Sequence, residues 1–506
     1  MARKTFTNST VEQSTGLSQP SGSGVRTSDV PGSQGTNSVR GTWSSEGEAG
    51  RHFRTKAERN GALNPPLVQP RLDRIAEQAR EHPEWKFYTL AHHLDVALLE
   101  RAFWSLNPRS AAGVDRVTWQ QYQRELELNL EDLHERLVNK TYRPQVVVRR
   151  WIPKSDGKKF RPLGLPALED KIVAKAVALL LEQIYEQDFY DFSYGFRPGR
   201  SCHKASHDLR QGLLNQGVRY VIDCDVRSFF DNLQHDQLLA ILRERVTDGR
   251  LLELIEMWLT AGIMDDRELV FPEKGSAQGS VISPLLANVY LHAVLDKWFA
   301  EVVTAHCRSP VLLIRYADDF IIGCRNEEDA RRIMNVLPKR FAKYGLEVNA
   351  EKTKLVRFTP PRRDYIPSAD TRRGSATKPE SSGTFSFLGF VYYWGKTFKG
   401  GYTIKRKTEG KRLRRIMQAL WSWCREHRHR PLEEQYRILR AKLHGHYQYY
   451  GVRCNSQCLD LVFYTATRAW RYWLNRRGGR KLSWQAFGRL MAKFPLPRPK
   501  ITQPWV

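Results

Sequence analysis

Two apolar runs rich in β-branched residues flank a pair of adjacent aspartates in the middle of the chain. The stretch Val311-Leu-Leu-Ile-Arg-Tyr-Ala-Asp-Asp-Phe-Ile-Ile-Gly-Cys324 places Asp318 and Asp319 at its centre. This pattern predicts two short buried strands joined by a tight turn that holds both carboxylates. Burying an unpaired charge is costly, so the pair either faces solvent on an ordinary hairpin or binds a cation. For a bound cation, Mg²⁺ with its preference for oxygen ligands is the natural choice.

A second acidic strand is predicted within residues 220–232. The alternation of polar and apolar residues puts Asp223 and Asp225 on one face and Ile222, Cys224 and Val226 on the other. Two edge-strand aspartates that face water would show the same pattern. The spacing alone does not decide which aspartate is a metal ligand.

Helical periodicity accounts for much of the remaining chain. It predicts helices around Leu90–Phe103, Leu126–Leu137, Leu168 to about Gln187, residues 234–262, and from the acidic hairpin to about Tyr344. Three connecting segments carry candidate chemistry: a basic hairpin over residues 146–164, a Gly/Arg-rich loop over residues 193–201, and a small-residue loop over residues 275–288. The hairpin, with Lys154 and Arg161, is suited to gripping phosphates or is simply a basic solvent-facing hairpin.

Composition separates the chain into three parts. Residues 1–65 are rich in Ser, Gly, Thr and Asn and are predicted to be a disordered tail. Residues 66–400 hold the predicted strands, and the Pro, Arg, Ser and Gly content of residues 359–383 within them predicts an exposed loop or linker. Residues 401–506 carry 24 Lys and Arg against 5 Asp and Glu, or +19 of the net +27 of the 506-residue chain.

The basic C-terminal part also has an apolar stripe at helical spacing, from Leu432 to Tyr447. The cations Arg437, Arg440 and Lys442 fall off this stripe. Packing explains the aromatic residues of a helical bundle but not the excess positive charge. We therefore predict a helical clamp for nucleic acid. The seven dispersed cysteines argue for a reducing compartment. The sequence contains no run of eighteen apolar residues, so it predicts no membrane-spanning helix.

Taken together, the acidic strands, the basic hairpin and the small-residue loop indicate nucleotidyl transfer. Two metal ions roughly 3.5–4 Å apart would bridge Asp225, Asp318 and Asp319. One ion would activate a primer 3′-hydroxyl and the other would neutralise the triphosphate as pyrophosphate leaves. Such chemistry needs positioning and charge neutralisation, in keeping with the lack of a Ser/His or Cys/His nucleophile pair in the sequence.

The ordered motifs of the chain resemble those of a known family. The chain is similar to the reverse transcriptases with maturase activity that bacterial group II introns encode, and the ordered motifs cover about residues 110–400. The resemblance rests on Arg161-Pro-Leu-Gly, Tyr194-Gly-Phe-Arg-Pro-Gly-Arg-Ser, Asp225-Val-Arg-Ser-Phe-Phe-Asp, Gln278-Gly-Ser-Val-Ile-Ser-Pro, Tyr316-Ala-Asp-Asp, Lys352, Phe387-Leu-Gly and Gly445-His-Tyr-Gln-Tyr-Tyr-Gly.

The resemblance implies an α+β fold of the right-hand polymerase type. Fingers and a palm with an antiparallel sheet (66–400) would precede an α-helical thumb or maturase domain (401–506). It also assigns roles: Asp225, Asp318 and Asp319 as catalytic ligands of two Mg²⁺ ions, Lys352 as the acid for pyrophosphate, and Phe230 as the gate against a 2′-hydroxyl. Further contacts are implied for the triphosphate (Lys154, Arg161), for the nucleotide and template (Gln278, Gly279), and for nucleic acid (Arg197, Arg200, Arg437, Arg440, Lys442).

The expected partners are intron RNA and an RNA template, a DNA primer or target, and dNTPs, in the cytoplasm of a bacterium and at the nucleoid during DNA insertion. Because the sequence stops soon after residue 500, it resembles family members that lack the C-terminal endonuclease domain. Two alternatives stay open: a relative recruited to defence, CRISPR spacer acquisition or diversity generation, and an RNA-binding maturase without polymerase activity.

Overall fold

The structure is a computed structural model that describes residues 68–153, 160–265, 268–276, 279–361, 382–478 and 481–503. Five α-helices form most of its first part. The predicted tail and most of the predicted linker at 359–383 lie outside these ranges. The five helices are α1 (Val68–Glu81), α2 (Val96–Ser105), α3 (Trp119–Tyr122), α4 (Leu126–Val138) and α5 (Leu168–Asp188). The helix predicted from Leu90 begins only at Val96, because Asp95 caps it by accepting a hydrogen bond from the Leu98 amide at 2.9 Å.

A four-stranded sheet contains the predicted basic hairpin. Strand β1 (Val147–Pro153) pairs antiparallel with β2 (Phe160–Leu165), as the sequence predicts. The sheet continues through β4 (Ile263–Asp265) and β5 (Glu268–Val270), in the order β2-β1-β4-β5. The turn between β1 and β2, which includes Lys154, lies outside the described residues.

The central sheet carries the acidic residues. It consists of β3 (Tyr220–Cys224), β6 (Val311–Tyr316), β7 (Asp319–Cys324) and β8 (Lys354–Arg357), in the order β6-β7-β3-β8 with every pair antiparallel. The two strands predicted around Asp318 and Asp319 are confirmed, and the strand predicted within residues 220–232 is confirmed only as far as Cys224, because Phe229–Asn232 is helical. Apolar residues of β3 and β7 such as Ile222 and Ile322 are fully buried, which anchors the strand ends that bear the carboxylates.

Helices surround the central sheet. They are α6 (Cys202–Asn215), α7 (Phe229–Asn232), α8 (His235–Leu242), α9 (Gly249–Thr260), α10 (Ser283–Leu291), α11 (Thr304–His306) and α12 (Glu327–Ala342). Between α10 and α11 the chain widens into two π-helical segments, His292–Asp296 and Phe299–Val303. The single helical region predicted over residues 234–262 is wrong in one respect: it divides at Arg243–Asp248, where Asp248 caps α9.

The last part begins with a three-stranded sheet and continues as four helices. The strands are β9 (Phe385–Phe387), β10 (Phe390–Lys396) and β11 (Tyr402–Thr408), in the order β11-β10-β9. The helices are α13 (Gly410–Glu426), α14 (Leu432–Tyr450), α15 (Ser456–Leu474) and α16 (Trp484–Lys493). The predicted division at residues 400 and 401 falls inside the β10–β11 hairpin, because β11 pairs with β10 along its whole length.

The apolar stripe predicted on α14 forms part of the helical core, with Leu439, Leu443 and Tyr447 buried. Within the described ranges, no helix has the length and apolar composition needed to cross a membrane. The architecture is therefore a mixed α/β region followed by a helical region, as the sequence predicts.

Candidate active site

The acidic hairpin has a two-residue turn. Tyr316 pairs with Asp319 at the ends of β6 and β7, so Ala317 and Asp318 form the turn itself. Ala317 has a φ of 55°, in the left-handed region that L residues rarely adopt. Asp318 is half-buried in the turn, and Asp319 is exposed as the first residue of β7. The two carboxylates therefore lie at the tip of a hairpin whose strands are buried.

Asp225 joins this pair because β3 is the neighbour of β7. The antiparallel register pairs Cys224 with Phe320, so the next residue, Asp225, comes beside Asp319. Asn349 holds Asp225 from the other side: its amide nitrogen donates to the Asp225 carbonyl oxygen at 2.8 Å, and its Nδ2 donates to Oδ2 at 3.2 Å. In this segment the sequence singled out Lys352, and it gave no signal for the role of Asn349.

Lys352 forms an ion pair with one carboxylate of the cluster. Its Nζ lies 2.9 Å from Oδ2 of Asp225, while 64% of its side chain remains exposed. A surface ion pair of this kind contributes little to stability and is easily exchanged. The structure therefore brings the sequence-predicted Lys352 to the acidic cluster, and its exposed side chain is free to move to another anion.

The acidic cluster raises the pKa of its own members. Burial, followed by the charges of Asp318 and Asp225, raises the pKa of Asp319 to about 6. Burial, followed by the charge of Asp319, raises the pKa of Asp223 to about 7. Asp319 is in part exposed to solvent, so water screens part of the electrostatic effect on its pKa. Ionising all of these carboxylates at neutral pH is unfavourable unless a cation compensates them.

This donor set fits Mg²⁺ by its chemistry, because hard carboxylate oxygens with uncompensated negative charge are the ligands that this ion takes. In the described residues, no group of three or more His, Cys, Asp or Glu side chains is closed around a common point as a finished metal site.

Two loops predicted to bind nucleotide contact each other near Phe230. The Ser276 amide donates to the Phe230 carbonyl oxygen at 2.8 Å. A Cβ atom on Gly279 would lie 2.5 Å from the Gly164 carbonyl oxygen, so this glycine allows the small-residue loop to pack on β2. Phe230 is half-buried, and Arg161 is exposed on β2. Gln278, like Lys154, lies outside the described residues.

The Gly/Arg-rich loop packs directly against the acidic turn. A Cβ atom on Gly195 would lie 2.3 Å from the Ala317 nitrogen, so only glycine permits this approach. The next residue, Phe196, is 55% exposed and has a φ of 59°. Arg200 is partly exposed and pairs with Asp191 at 2.5 Å, an ion pair at the surface.

Arg197 has a different place from the one predicted. Its side chain is 3% exposed, forms an ion pair with Glu186 at 3.0 Å, and donates to the carbonyl oxygens of Tyr190 and Ser193. A guanidinium whose donors are used inside the protein cannot bind a phosphate on the surface. The prediction that Arg197 contacts nucleic acid is therefore wrong in this structure, and Arg197 instead shapes the loop.

The predicted cations of the helical region are on its surface. Arg437, Arg440 and Lys442 are all exposed on α14. The same helix touches the central region through Tyr449, whose hydroxyl donates to the Leu388 carbonyl oxygen at 2.9 Å and whose own carbonyl oxygen lies 2.8 Å from Nε2 of His203. The exposed basic side chains thus belong to a helix that is attached to the region bearing the acidic hairpin.

The chain is similar in sequence to several known proteins. Residues 152–392 match the family described as "Reverse transcriptase (RNA-dependent DNA polymerase)". The chain is 34% identical over 329 residues to "Protein YkfC" of Escherichia coli (strain K12), an alignment that covers 58% of this chain and 81% of that protein. It is 29% identical over 308 residues to "Group II intron-encoded protein LtrA" of Lactococcus lactis subsp. cremoris, covering 58% of this chain and 51% of LtrA.

A yeast protein is similar to this chain over a shorter stretch. The chain is 31% identical over 208 residues to "Putative COX1/OXI3 intron 2 protein" of Saccharomyces cerevisiae, covering 41% of this chain and 22% of that protein. The chain thus spans about half the length of LtrA and a smaller part of the yeast protein.

Proposed function

Because the chain belongs to the reverse transcriptases of the group II intron type, we propose that it extends a DNA primer on an RNA template and binds intron RNA for splicing and retrohoming. The activity proposed is transfer of a deoxynucleotide to a primer 3′-hydroxyl, with release of pyrophosphate. The observation that carries this proposal is the meeting of Asp225, Asp318 and Asp319 at the end of one antiparallel sheet.

Asp225, Asp318 and Asp319 would hold two Mg²⁺ ions. Bound there, Mg²⁺ supplies Lewis-acid activation of the hydroxyl and neutralises the charge of the triphosphate. The raised pKa of Asp319 and Asp318 supports this assignment, since burial and mutual repulsion leave the carboxylates in need of positive charge. Asp223 lies on the same face but ends further from the turn, and we assign it no ligand role.

The other residues of the site orient the nucleotide. Lys352, now on Asp225, would donate its Nζ proton to the leaving pyrophosphate once that ion pair opens. Phe230 would exclude a ribose 2′-hydroxyl, because an aromatic ring beside the sugar leaves no space for another oxygen. Arg161 on the basic hairpin, with Lys154, would hold the triphosphate, while Gln278 and Gly279 would line the nucleotide and template site.

Nucleic acid would lie between the central sheet and α14. In this proposal the region up to β8 acts as fingers and palm, and helices α13–α16 act as the thumb. Arg437, Arg440 and Lys442 supply exposed positive charge on α14. Arg200, in the loop that packs on the acidic turn, would reach a phosphate only by leaving its ion pair with Asp191. Phosphate contacts from such side chains give affinity without sequence preference.

Primer extension by an Asp318→Ala variant tests the proposal. Loss of a carboxylate that binds Mg²⁺ removes several kcal/mol of transition-state stabilisation, so we expect extension of a DNA primer on an RNA template to fall by about a thousandfold or more. Binding of a structured RNA should remain within about twofold of the wild type, because the turn contributes no phosphate-binding cation.

Asp236→Ala is the matched control, since Asp236 is an exposed aspartate on α8 outside the acidic cluster. This control should extend the primer like the wild type. Extension by Asp318→Ala at the wild-type rate would overturn the assignment of the site. If wild-type protein binds RNA but extends no primer under any divalent-metal condition, an RNA-binding maturase without polymerase activity is the correct reading.

A further inference from the structure

An ion pair lies fully buried beneath the acidic turn. Arg315, the penultimate residue of β6, donates through Nε to Oδ1 of Asp296 at 2.8 Å and through Nη2 to Oδ2 at 2.5 Å. Both side chains are 0% exposed. Burial alone would raise the pKa of Asp296, but the positive charge of Arg315 keeps that pKa below its ordinary value, so the pair is ionised. Desolvating two charges is costly, and well-packed apolar residues would serve stability as well or better.

The remaining donors of Arg315 reach the turn. Nη1 donates to the Ala317 carbonyl oxygen at 3.1 Å and to Oδ1 of Asn288 at 2.9 Å. Asn288 is also buried, and its Nδ2 donates to the Gly195 carbonyl oxygen at 2.6 Å. Asp296, Arg315 and Asn288 therefore form a continuous set of hydrogen bonds, which we call the sub-turn network. It ends on the two backbone segments that meet at the acidic turn.

The turn needs such a restraint because its backbone is strained. Ala317 occupies the left-handed region, which costs an L residue about 1–2 kcal/mol and persists only where surrounding contacts impose it. Arg315 holds the Ala317 carbonyl oxygen, while the Gly195 backbone packs closely against the Ala317 nitrogen. Relaxation of Ala317 would rotate the peptide that leads into Asp318 and would move its carboxylate.

The π-helical segment that follows α10 brings two members of the network onto the same side of the helix. Asn288 and Asp296 are eight residues apart, and a regular α-helix would place them about 80° apart around its axis. The π-helical segment His292–Asp296 turns less per residue, so it brings Asp296 round toward the face of Asn288. Single π-helical turns inside α-helices occur frequently at functional sites.

We infer that Asp296, Arg315 and Asn288 are positioning residues, whose network holds the Ala317 peptide in its left-handed conformation and so fixes the Asp318 carboxylate for catalysis. This inference rests on the proposed function for its catalytic part. A displacement of about 1 Å in a reacting geometry can cost a hundredfold in rate. The network therefore acts on the rate of nucleotide transfer and on Mg²⁺ binding at Asp318 rather than on dNTP binding.

Three variants test this role in the full chain: Asn288→Ala, Arg315→Lys, and the double variant Arg315→Met/Asp296→Leu. We expect kcat for primer extension to fall at least about tenfold in each, with the KM for dNTP changed less than about twofold. The double variant should unfold within a few degrees of the wild type, because apolar residues can replace a buried ion pair without loss of stability. A network needed only for stability would not separate kcat from KM in this way.

Arg245→Lys is the matched control, since Arg245 forms a buried bidentate ion pair with Asp188 and otherwise bonds to backbone oxygens of residues 79–85. It should lose as much thermal stability as Arg315→Lys but keep its kcat once folded. Equal losses of kcat in the two Arg→Lys variants would overturn the positioning role.

The effect of MgCl2 on the melting temperature is a second readout, which does not depend on primer extension. The rise in melting temperature on addition of MgCl2 should be smaller in Asn288→Ala than in the wild type, because Asp318 is no longer held. An unchanged Mg²⁺ response together with unchanged kcat would overturn the inference while leaving the proposed function intact. Absence of primer extension by the wild type would instead count against the proposed function, and the Mg²⁺ response would still decide the inference.

Discussion

At the residue scale, the acidic cluster exchanges stability for a capacity to bind cations. The pKa of Asp319 is raised to about 6 by burial and by its acidic neighbours, against about 3.9 in an unfolded chain. The folded state thus binds this proton more tightly than the unfolded state does. The contribution of this tighter proton binding to the free energy of unfolding is fully present below about pH 4 and is lost as the pH rises through about 6.

Asp319→Asn should therefore stabilise the metal-free protein at pH 7.5 but not at pH 4. Since the Asp319 side chain is partly screened by water, we expect a gain of about 1 kcal/mol, or about 1 °C in melting temperature for a chain of this length. Thermal unfolding in EDTA at the two pH values measures this. Adding MgCl2 at pH 7.5 should narrow or reverse the difference, because only the wild type keeps the full set of ligands. A variant that is less stable than the wild type in EDTA at pH 7.5 would contradict the description of the cluster.

At the element scale, the contact between the Gly/Arg-rich loop and the acidic hairpin depends on the absence of one side chain. Gly195→Ala would place a methyl group 2.3 Å from the Ala317 nitrogen, in a region where both backbones are held by hydrogen bonds. We expect a loss of about 2 kcal/mol in the free energy of unfolding and a loss of primer extension beyond what unfolding explains.

Gly249→Ala is the control for this change, because a Cβ atom there meets no atom within 4 Å and the residue begins a helix. Denaturant unfolding and primer extension of both variants, at a temperature where both are folded, provide the comparison. Full activity of folded Gly195→Ala would show that the turn tolerates displacement.

Local patterns predicted some elements and not others. The hairpin at 311–324 was predictable because its β-branched apolar runs can only be buried strands, and the central sheet followed from it. The boundary at residues 400 and 401 was drawn from composition, and it cuts the β10–β11 hairpin because the basic residues of β11 resemble those of the helices that follow. The role of Arg315 was hidden, since an arginine in an apolar run says nothing of Asp296, its partner nineteen residues earlier. The burial of Arg197 likewise depends on contacts made only in the fold.

At the scale of the whole molecule, net charge is concentrated in the last fifth of the sequence, whereas the acidic cluster belongs to the central sheet. Residues 401–506 carry +19 of the +27 of the chain, and the described cations of α14 point outward. Such a separation lets one region attract a polyanion while another keeps its carboxylates available for metal ions.

Replacing Arg437, Arg440 and Lys442 together with alanine should weaken RNA binding at all sequences alike. Each phosphate contact contributes about 0.7–0.9 to the slope of log affinity against log salt, so the slope should become shallower by about 2. Filter binding at several salt concentrations measures it. The control removes three exposed cations of α12, Arg331, Arg332 and Lys339. Equal changes in both triple variants would show that total charge, rather than α14, determines RNA affinity.

The loop that packs on the acidic turn has one more consequence, which concerns solubility. Strand β6 is an edge of the central sheet, and near its end the Tyr194 amide donates to the Arg315 carbonyl oxygen while the Arg315 amide donates to Phe192. The loop thereby occupies hydrogen-bonding groups that would otherwise be open to a strand from another molecule. Variants that shorten or displace residues 193–201 would uncover an apolar edge, and their failure in an assay could reflect self-association before any change in chemistry.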